Sequence, residues 1–270
     1  MIKIRLAGGL GNQILQLIAG LTYSNIKNQQ LVLNSESLKN YQVKRDFKLT
    51  FLGFKEHNNF NFIDTLIFKF RLTFILNIIS KNFITDKNFL ANNNRFLNYY
   101  LDGYFHDLSK SKIGIKILSE KLKKVKLKNN FPKIDFENDV AIHVRRGDYL
   151  TKENKKIYKF LNINYYKSSL KKIDYSKIYI FSTEKVDFIL NKDQTEIINY
   201  ELDDVEEFIL MSKFKKIIIS NSTFSFCSAL LCNKKNKEIV APSEYYLNDK
   251  KNKIWINNFK QFNFKINYEV

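Results

Sequence analysis

The sequence predicts an α/β protein built on parallel β-sheets. Short, continuously apolar runs recur in the second half of the chain, and the stretches between them are long enough for crossover helices. The runs cover residues 140–144, 178–181, 217–219 and 238–241. Strands that are apolar throughout are buried on both faces, so we expect a parallel sheet with helices packed on each side. The clearest of these helices begins at Asp203 and Asp204, two good N-terminal residues ahead of an apolar face.

The first half of the chain opens on a strand, a glycine-containing loop and a helix. Residues 2–6 have the pattern of a strand, and four apolar residues at helical spacing follow the loop: Ile14, Leu17, Ile18 and Leu21. The loop glycines let the backbone approach a ligand closely, but their spacing matches neither the dinucleotide fingerprint nor the phosphate loop of NTPases. Further along, no pattern predicts regular elements up to about residue 130. The most apolar window, residues 66–79, is too short to span a bilayer and suits a core helix or an amphipathic face on a membrane surface.

The chain is strongly basic, with 45 Lys and Arg against 27 Asp and Glu and a formal net charge of +18. Such a charge favours nucleic acid, anionic lipid or phosphate-bearing ligands as partners. The alternative is a compositional bias, because Lys, Asn and Ile are abundant in every segment. The even spread of Lys argues against nucleic-acid binding, which needs basic residues interleaved with exposed aromatics on one surface.

Cysteine usage and the start of the chain bear on its location. Cys227 and Cys232 lie in one helical stretch without a neighbouring His, so we expect buried packing residues rather than a disulfide or a metal site. The sequence begins directly with a strand and shows no signal peptide. We therefore expect a cytoplasmic protein.

Polar residues follow three of the predicted strands at the point where each one ends. Ligands of open α/β sheets bind at the carboxyl ends of the strands. A cationic pair, a hydroxyl and acid cluster, and a hydroxyl and amide cluster at one sheet edge therefore predict a site for a diphosphate and a ribose. In chain order the residues are Arg145, Arg146 and Asp148, then Ser182, Thr183 and Glu184, then Asn221, Ser222 and Thr223.

The arginine pair carries most of this prediction. A guanidinium stays charged in any environment and offers forked donors that match phosphate oxygens. Ser222 and Thr223 precede a helical run at residues 224–231, whose N-terminus also favours an anion. Either residue can instead simply cap that helix, and a cap does not exclude phosphate binding.

With these residues in view, the sequence resembles the bacterial α-1,2-fucosyltransferase family (glycosyltransferase family 11), which shares motifs with O-fucosyltransferases and α-1,6-fucosyltransferases. The His-x-Arg-Arg-x-Asp pattern is the most specific part of the resemblance. Four blocks carry it over nearly the whole chain: GGLGNQ at 8–13, DGYF at 102–105, HVRRGDY at 143–149, and 210–225, which begins with LMS and ends with SNSTFS. Two weaker blocks are FSTE at 181–184 and VAP at 240–242.

The resemblance implies a GT-B architecture, in which two Rossmann-like domains face each other across a cleft. Residues 1–133 would form the acceptor-side domain and residues 134–270 the GDP-fucose-binding domain. By similarity, Arg145 grips the donor diphosphate, and Asp148 supports the arginine pair or the guanine edge. The other donor-side residues are His143, Arg146, Ser182, Asn221, Ser222 and Thr223, and the loop near the transferred sugar contains Gly9, Gly11, Asn12 and Gln13.

The resemblance further implies inversion at the anomeric carbon, with GDP-fucose as donor and a galactose-containing glycan, including a lipid-linked one, as acceptor. The arginines can stabilise the departing GDP without a divalent ion, so we expect no metal and no cofactor. The candidate general bases are Asp148, Glu184 and a carboxylate of the first half, and Asp148 is equally suited to a structural role beside Arg145. Work at the inner face of the cytoplasmic membrane, with peripheral contact to anionic lipid, would account for the charge.

The chain departs from the family pattern in two places. Phe226, Cys227 and Ser228 stand where family members have two tryptophans and a glycine, and Thr183 with Glu184 stands where they have two acids. These departures raise two alternatives: another nucleotide-sugar donor, or a member that binds nucleotide without turnover.

Overall fold

Each half of the chain folds around its own parallel β-sheet, which confirms the predicted α/β class. The computed structural model describes residues 1–39, 44–57, 83–87, 89–90, 99–131, 133–182, 186, 195–197, 202–247 and 249–269. The chain divides into two units, Met1–Lys124 and Val125–Val270. The predicted boundary between residues 133 and 134 falls inside the second unit.

In the first unit, four parallel strands run in the order β2-β1-β4-β3. The long helix α1 contacts both β1 and α3, so side chains all around it are buried. The predicted apolar residues Ile14, Leu17 and Ile18 are fully buried there. The described elements are β1 (Ile2–Arg5), α1 (Leu10–Lys27), β2 (Leu31–Asn34), α2 (Glu36–Lys39), a 3₁₀-helix (Leu49–Leu52), β3 (Phe83–Ile84), β4 (Tyr99–Leu101) and α3 (Lys112–Lys123).

In the second unit, six parallel strands run in the order β10-β9-β8-β5-β6-β7. Counted from β5, this is the order 3-2-1-4-5-6 of the Rossmann fold, and its direction reverses between β5 and β8. The elements are β5 (Val140–His143), 3₁₀-helices (Gly147–Leu150 and Asn154–Lys156), α4 (Ile163–Leu170), β6 (Ile178–Phe181), β7 (Thr195–Ile197), α5 (Asp204–Met211), β8 (Lys216–Ile218), α6 (Thr223–Leu231), β9 (Glu238–Pro242), α7 (Asp249–Gln261) and β10 (Lys265–Asn267).

The four strands predicted in this half are present, and each central strand is buried along its length. The predicted helix start is also confirmed, because the Asp203 carboxylate accepts a hydrogen bond from the Glu206 backbone N–H at 2.8 Å. Cys227 and Cys232 are buried free thiols, as expected for packing residues. None of the helices in the described ranges has both the length and the apolar character needed to cross a bilayer. The apolar window at 66–79 lies outside the described residues.

The departure at Phe226 is accommodated by an aromatic cluster with the last helix. The Phe226 ring is fully buried and meets the Trp255 ring edge-on, with 5.0 Å between centroids. Phe259 and Phe264 complete the cluster, each 6.0 Å from Phe226. The only tryptophan of the sequence thus comes from α7 and packs against Phe226 on α6.

Helices α1 and α3 meet at Gly114, where a side chain would have no room. A Cβ atom there would overlap the backbone carbonyl oxygen of Ile18 and the Thr22 hydroxyl. The contact is closed by a hydrogen bond from the Gly114 backbone N–H to the Thr22 hydroxyl at 3.3 Å.

We expect Gly114→Ala to lower the free energy of unfolding by about 1–3 kcal/mol, because the two helices must move apart. Urea or thermal unfolding followed by circular dichroism measures the change. Lys116→Ala, an exposed change on the same helix, is the matched control and should have little effect. An alanine variant as stable as the wild type would contradict the close helix contact.

Candidate functional site

The predicted strand-end residues of the second unit come together at the point where the strand order reverses. His143 ends β5, and Arg145 and Arg146 follow it; Ser220 and Asn221 follow β8, the neighbouring strand. Ser182 follows β6 on the other side of β5. Ligands bind at this place in Rossmann-type sheets, so these residues are candidates for a ligand site, and their contact with a donor stays a prediction. Thr183 and Glu184 lie outside the described residues.

His143 is a neutral, buried histidine at the floor of this site. Its Nδ1 shares a 2.7 Å hydrogen bond with the Ser220 hydroxyl, and its ring centroid lies 5.4 Å from that of Phe224. Burial lowers the pKa of His143 to about 3, and the positive charge of Arg145 adds to the effect. The imidazole therefore carries no charge at neutral pH and presents one donor and one acceptor.

The two arginines of the motif have different surroundings. Arg146 is buried, and its Nη1 donates to the backbone carbonyls of Leu161 at 3.1 Å and Arg145 at 3.3 Å. Its guanidinium also lies 4.6 Å from the ring centroid of Phe160. Arg145 is only half-buried and faces the Tyr149 ring at 5.2 Å. Arg146 thus anchors the following segment, while Arg145 is the more accessible cation.

Asp148 lies in the 3₁₀-helix Gly147–Leu150, which continues the arginine loop. Its side chain is outside the described part of the structure. Its predicted roles, as general base or as a partner of Arg145, therefore stay predictions.

Asn221 acts as a tie between loops. Its buried side-chain amide donates to the carbonyls of Lys159 at 2.6 Å and Tyr245 at 3.1 Å. Its own backbone carbonyl accepts a hydrogen bond from the Tyr149 hydroxyl at 2.9 Å. Sequence reasoning placed Asn221 among donor-binding residues and missed this structural use of the amide. Contact with a donor stays a prediction.

Ser222 caps α6, which confirms the cap interpretation. Its hydroxyl accepts a hydrogen bond from the Phe224 backbone N–H at 3.3 Å, and Thr223 is the first, half-buried residue of the helix. Because α6 follows β8 directly, its N-terminus lies at the same sheet edge as Arg145. The helix dipole and the arginine therefore favour an anion at the same place.

Glu207 on α5 is a candidate site residue that sequence reasoning missed. The pKa of its carboxyl is raised to about 7, mainly by burial and also by the neighbouring Asp204, while Arg145 acts in the opposite direction. The next residue, Phe208, stacks edge-on against Phe224 at 5.6 Å, and Phe224 covers His143. Glu207 therefore belongs to the surroundings of Arg145 and His143. The only sequence signal was an acid directly before an apolar helix face.

The glycine loop of the first unit is shaped by its own side chains. Gly8 has a φ of +81°, and a Cβ there would clash with the Asn12 amide. Gly9 is the N-cap residue of α1, and a Cβ atom there would meet no atom within 4 Å. Gly11, inside the helix, is buried. Asn12 is half-buried beside this bend. The predicted nearness of these residues to a transferred sugar stays a prediction.

Gln13 holds this loop to a neighbouring segment. Its fully buried amide nitrogen donates to the carbonyls of Gly8 at 3.2 Å and Asp46 at 2.9 Å. Its amide oxygen accepts from the Lys48 backbone N–H at 3.1 Å. With all three bonds made within the protein, Gln13 is a positioning residue.

The DGYF block is likewise structural. Asp102 accepts a 2.7 Å hydrogen bond from Arg5 Nε, which joins the ends of β4 and β1. The Asp86 carboxylate accepts the backbone N–H groups of Tyr104 and Phe105, and Gly103 leaves room for that carboxylate. Phe105 has a φ of +52°, so these bonds hold the backbone in a left-handed turn.

Among the described residues, no group of three or more His, Cys, Asp or Glu side chains is placed to hold a metal ion. The expectation that no metal is required concerns the reaction and stays a prediction.

A Rossmann-ordered sheet with an arginine, a neutral histidine and a helix N-terminus at its reversal point defines an α/β protein with a candidate ligand site at that sheet edge. The chain belongs to glycosyl transferase family 11, whose model matches residues 85–268. The family resemblance predicted from the motifs is therefore confirmed.

Two relatives from Escherichia coli match nearly the whole chain. One, alpha-1,2-colitosyltransferase, is 28% identical over 280 residues, covering 91% of this chain and 92% of the relative. The other, O-antigen biosynthesis glycosyltransferase WbnK, is 26% identical over 302 residues, covering 93% and 98%. Among solved structures, a mutant of Arabidopsis thaliana FUT1 in complex with GDP is 12% identical, with a TM-score of 0.46 over 86% of this chain and 68% of that chain.

We expect the ring of His143 to stay neutral from pH 5 to pH 8, because its pKa is lowered to about 3. Its ring-proton NMR signals, assigned from their absence in His143→Gln, should not shift over that range. Since folding excludes the charged form, this residue makes the protein less stable as pH falls below its unfolded value of 6.5. A titration near 6.5 would show that the imidazole is exposed.

Proposed function

We propose that the protein transfers a deoxyhexose, L-fucose in the first instance, from a GDP-sugar to the 2-hydroxyl of a galactose-type acceptor with inversion. The observation that carries this proposal is the placement of Arg145 at the reversal point of a Rossmann sheet, beside the N-terminus of α6. The relative named alpha-1,2-colitosyltransferase supports an α-1,2 linkage. The relative named O-antigen biosynthesis glycosyltransferase supports a role in O-antigen synthesis.

The proposed mechanism depends on stabilising the leaving GDP. As the glycosidic bond breaks, negative charge grows on the diphosphate and the sugar becomes oxocarbenium-like. Arg145 and the α6 N-terminus supply fixed positive potential there, without a step that needs a metal ion. Asp148 and Glu184 remain the proposed bases for the acceptor hydroxyl on the donor side.

Glu207 supports guanine as the base of the donor. Guanine presents two adjacent donors, N1–H and the exocyclic amino group, which a carboxylate can accept together. A half-buried carboxylate with a pKa of about 7 is poised to ionise when such donors arrive. Uracil presents a single N–H between two carbonyl oxygens, which would face the carboxylate unfavourably.

A second candidate donor is GDP-colitose, because one relative is named a colitosyltransferase. Colitose is fucose without its 3-hydroxyl, so one pocket can accommodate both sugars. Comparing kcat/KM for the two donors separates the candidates: a site that hydrogen-bonds the 3-hydroxyl prefers fucose, while an apolar site does not.

The central test is acceptor-stimulated release of GDP from GDP-fucose, with lactose as acceptor. We expect Arg145→Ala to lower kcat/KM by about 10²- to 10³-fold. Lys167→Ala, which removes an exposed charge elsewhere in the same unit, is the matched control. EDTA should leave the wild-type rate unchanged. If GDP is neither released from either donor nor stabilises the protein against heat, the proposal is wrong.

We expect the wild type to bind GDP at least tenfold more tightly than inosine diphosphate, which lacks the amino group, because a hydrogen bond to a charged group contributes about 1.5–3 kcal/mol. Glu207→Ala should abolish this preference, while Glu269→Ala, which removes an exposed acid, should keep it.

The GDP affinity of the wild type should also rise from pH 6 to pH 8 as Glu207 ionises, more steeply than the GDP affinity of Glu207→Ala. Calorimetry measures both effects, and equal preferences in all three proteins would exclude the guanine contact.

A further inference from the structure

Three tyrosines stack in a row that ends on the guanidinium of Arg145. The Arg145 guanidinium carbon lies 5.2 Å from the Tyr149 ring centroid. Tyr149 stacks on Tyr158 with 4.2 Å between centroids and 15° between planes, and Tyr158 lies 5.4 Å from Tyr246 at 30°. All three rings are half-buried, so this tyrosine row (Tyr149, Tyr158 and Tyr246) lines the edge of the site.

The end of the row nearest Arg145 is fixed by a hydrogen bond. The Tyr149 hydroxyl donates to the Asn221 carbonyl at 2.9 Å, so the ring bridges the loops after β5 and β8. Its backbone N–H donates to the Arg146 carbonyl at 3.1 Å. The Tyr149 ring therefore contacts both the Arg145 guanidinium and the Tyr158 ring.

The far end of the row is fixed by pairing of two short segments. Tyr158 and Tyr246 form an antiparallel bridge, flanked by a 3.0 Å hydrogen bond from the Leu247 N–H to the Ile157 carbonyl. The Asn252 amide oxygen accepts the Tyr246 N–H at 2.9 Å, and its nitrogen returns a bond of the same length to the Tyr246 carbonyl. The base of the row is thus tied to α7.

We infer that Tyr149 and Tyr158 are positioning residues that set the orientation of the Arg145 guanidinium for the transferring diphosphate. An arginine side chain loses rotamer entropy when it is ordered, and a stacked ring limits that freedom before substrate arrives. The ring face also attracts the cation without neutralising it, as a carboxylate would. The ring contact thereby limits the orientations of the Arg145 guanidinium before the diphosphate binds.

This inference rests on the proposed role of Arg145 at the diphosphate. If the row positions Arg145, its effect falls on the step in which charge develops, so kcat changes more than the KM for the donor. Tyr158 is the better residue to test, because it stacks on Tyr149 and is one ring further along the row from Arg145.

The test compares Tyr158→Leu with Tyr158→Phe in the GDP-release assay and in GDP binding by calorimetry. We expect Tyr158→Leu to lower kcat about tenfold or more, with a smaller change in KM. Tyr158→Phe keeps the stack and should restore the wild-type rate within about twofold. Tyr268→Leu, a 69% exposed tyrosine of the same unit, is the matched control and should have no effect.

A double-mutant cycle separates positioning from general loss of structure. In the Arg145→Ala background, Tyr158→Leu should cost almost nothing further, because the group it positions is gone. Equal losses in both backgrounds, or no rescue by phenylalanine, would overturn the inference. Calorimetry measures the same cycle through GDP affinity and needs no turnover. If the wild type binds GDP but transfers no sugar, the proposed function is wrong. A non-additive effect of the two substitutions on GDP affinity would still support positioning of Arg145 by the tyrosine row.

Discussion

The loops of the second unit depend on one buried amide at the end of β8. The Asn221 side chain donates to carbonyls of Lys159 and Tyr245, and its backbone accepts the Tyr149 hydroxyl. Tyr149 and Lys159 lie on the connection after β5 and Tyr245 lies on the connection after β9, so one residue ties together loops that are distant in sequence. A buried donor or acceptor left unpaired costs about 1–3 kcal/mol, which disfavours arrangements in which the loops part. The orientation of Tyr149, and through it of Arg145, follows from this tie.

Sequence pattern predicts the central strands of the second sheet because burial on both faces makes them continuously apolar. The pattern predicts a strand at residues 217–219, whereas β8 begins one residue earlier, at Lys216. Lys216 is 9% exposed, and its ammonium donates to the Asn138 carbonyl at 3.4 Å, so a charged residue begins an apolar strand. In the first unit, β3 and β4 have two and three residues. Such strands exist because β1 and β4 pair side by side, with Ile2 opposite Tyr99, a non-local contact that local periodicity does not contain.

For the site, the sequence predicts which residue types gather at the sheet edge but not how each polar group is used. Arg146 and Asn221 have the chemistry of phosphate and sugar ligands, yet their donors bond backbone carbonyls. That choice is set by loops that approach each other only in the fold. Glu207 was missed for the converse reason: acids in the first turn of a helix are explained by the dipole alone. The effect of Arg145 on Glu207 arises only in the fold, because the two residues are far apart in the sequence.

The charge of Arg145 affects the pKa of two other groups of the site, His143 and Glu207. It lowers the pKa of both His143 and Glu207, reinforcing burial in the first and opposing it in the second. A diphosphate bound to Arg145 would reduce its field at Glu207, so the carboxyl would become harder to ionise unless new donors reached it. Guanine brings two adjacent donors, N1–H and the exocyclic amino group, on one edge of the base. Uracil has two carbonyl oxygens beside its single N–H, and these would repel the carboxylate. If the protein binds a nucleoside diphosphate as proposed, the charge of Arg145 links binding of the diphosphate to recognition of the base.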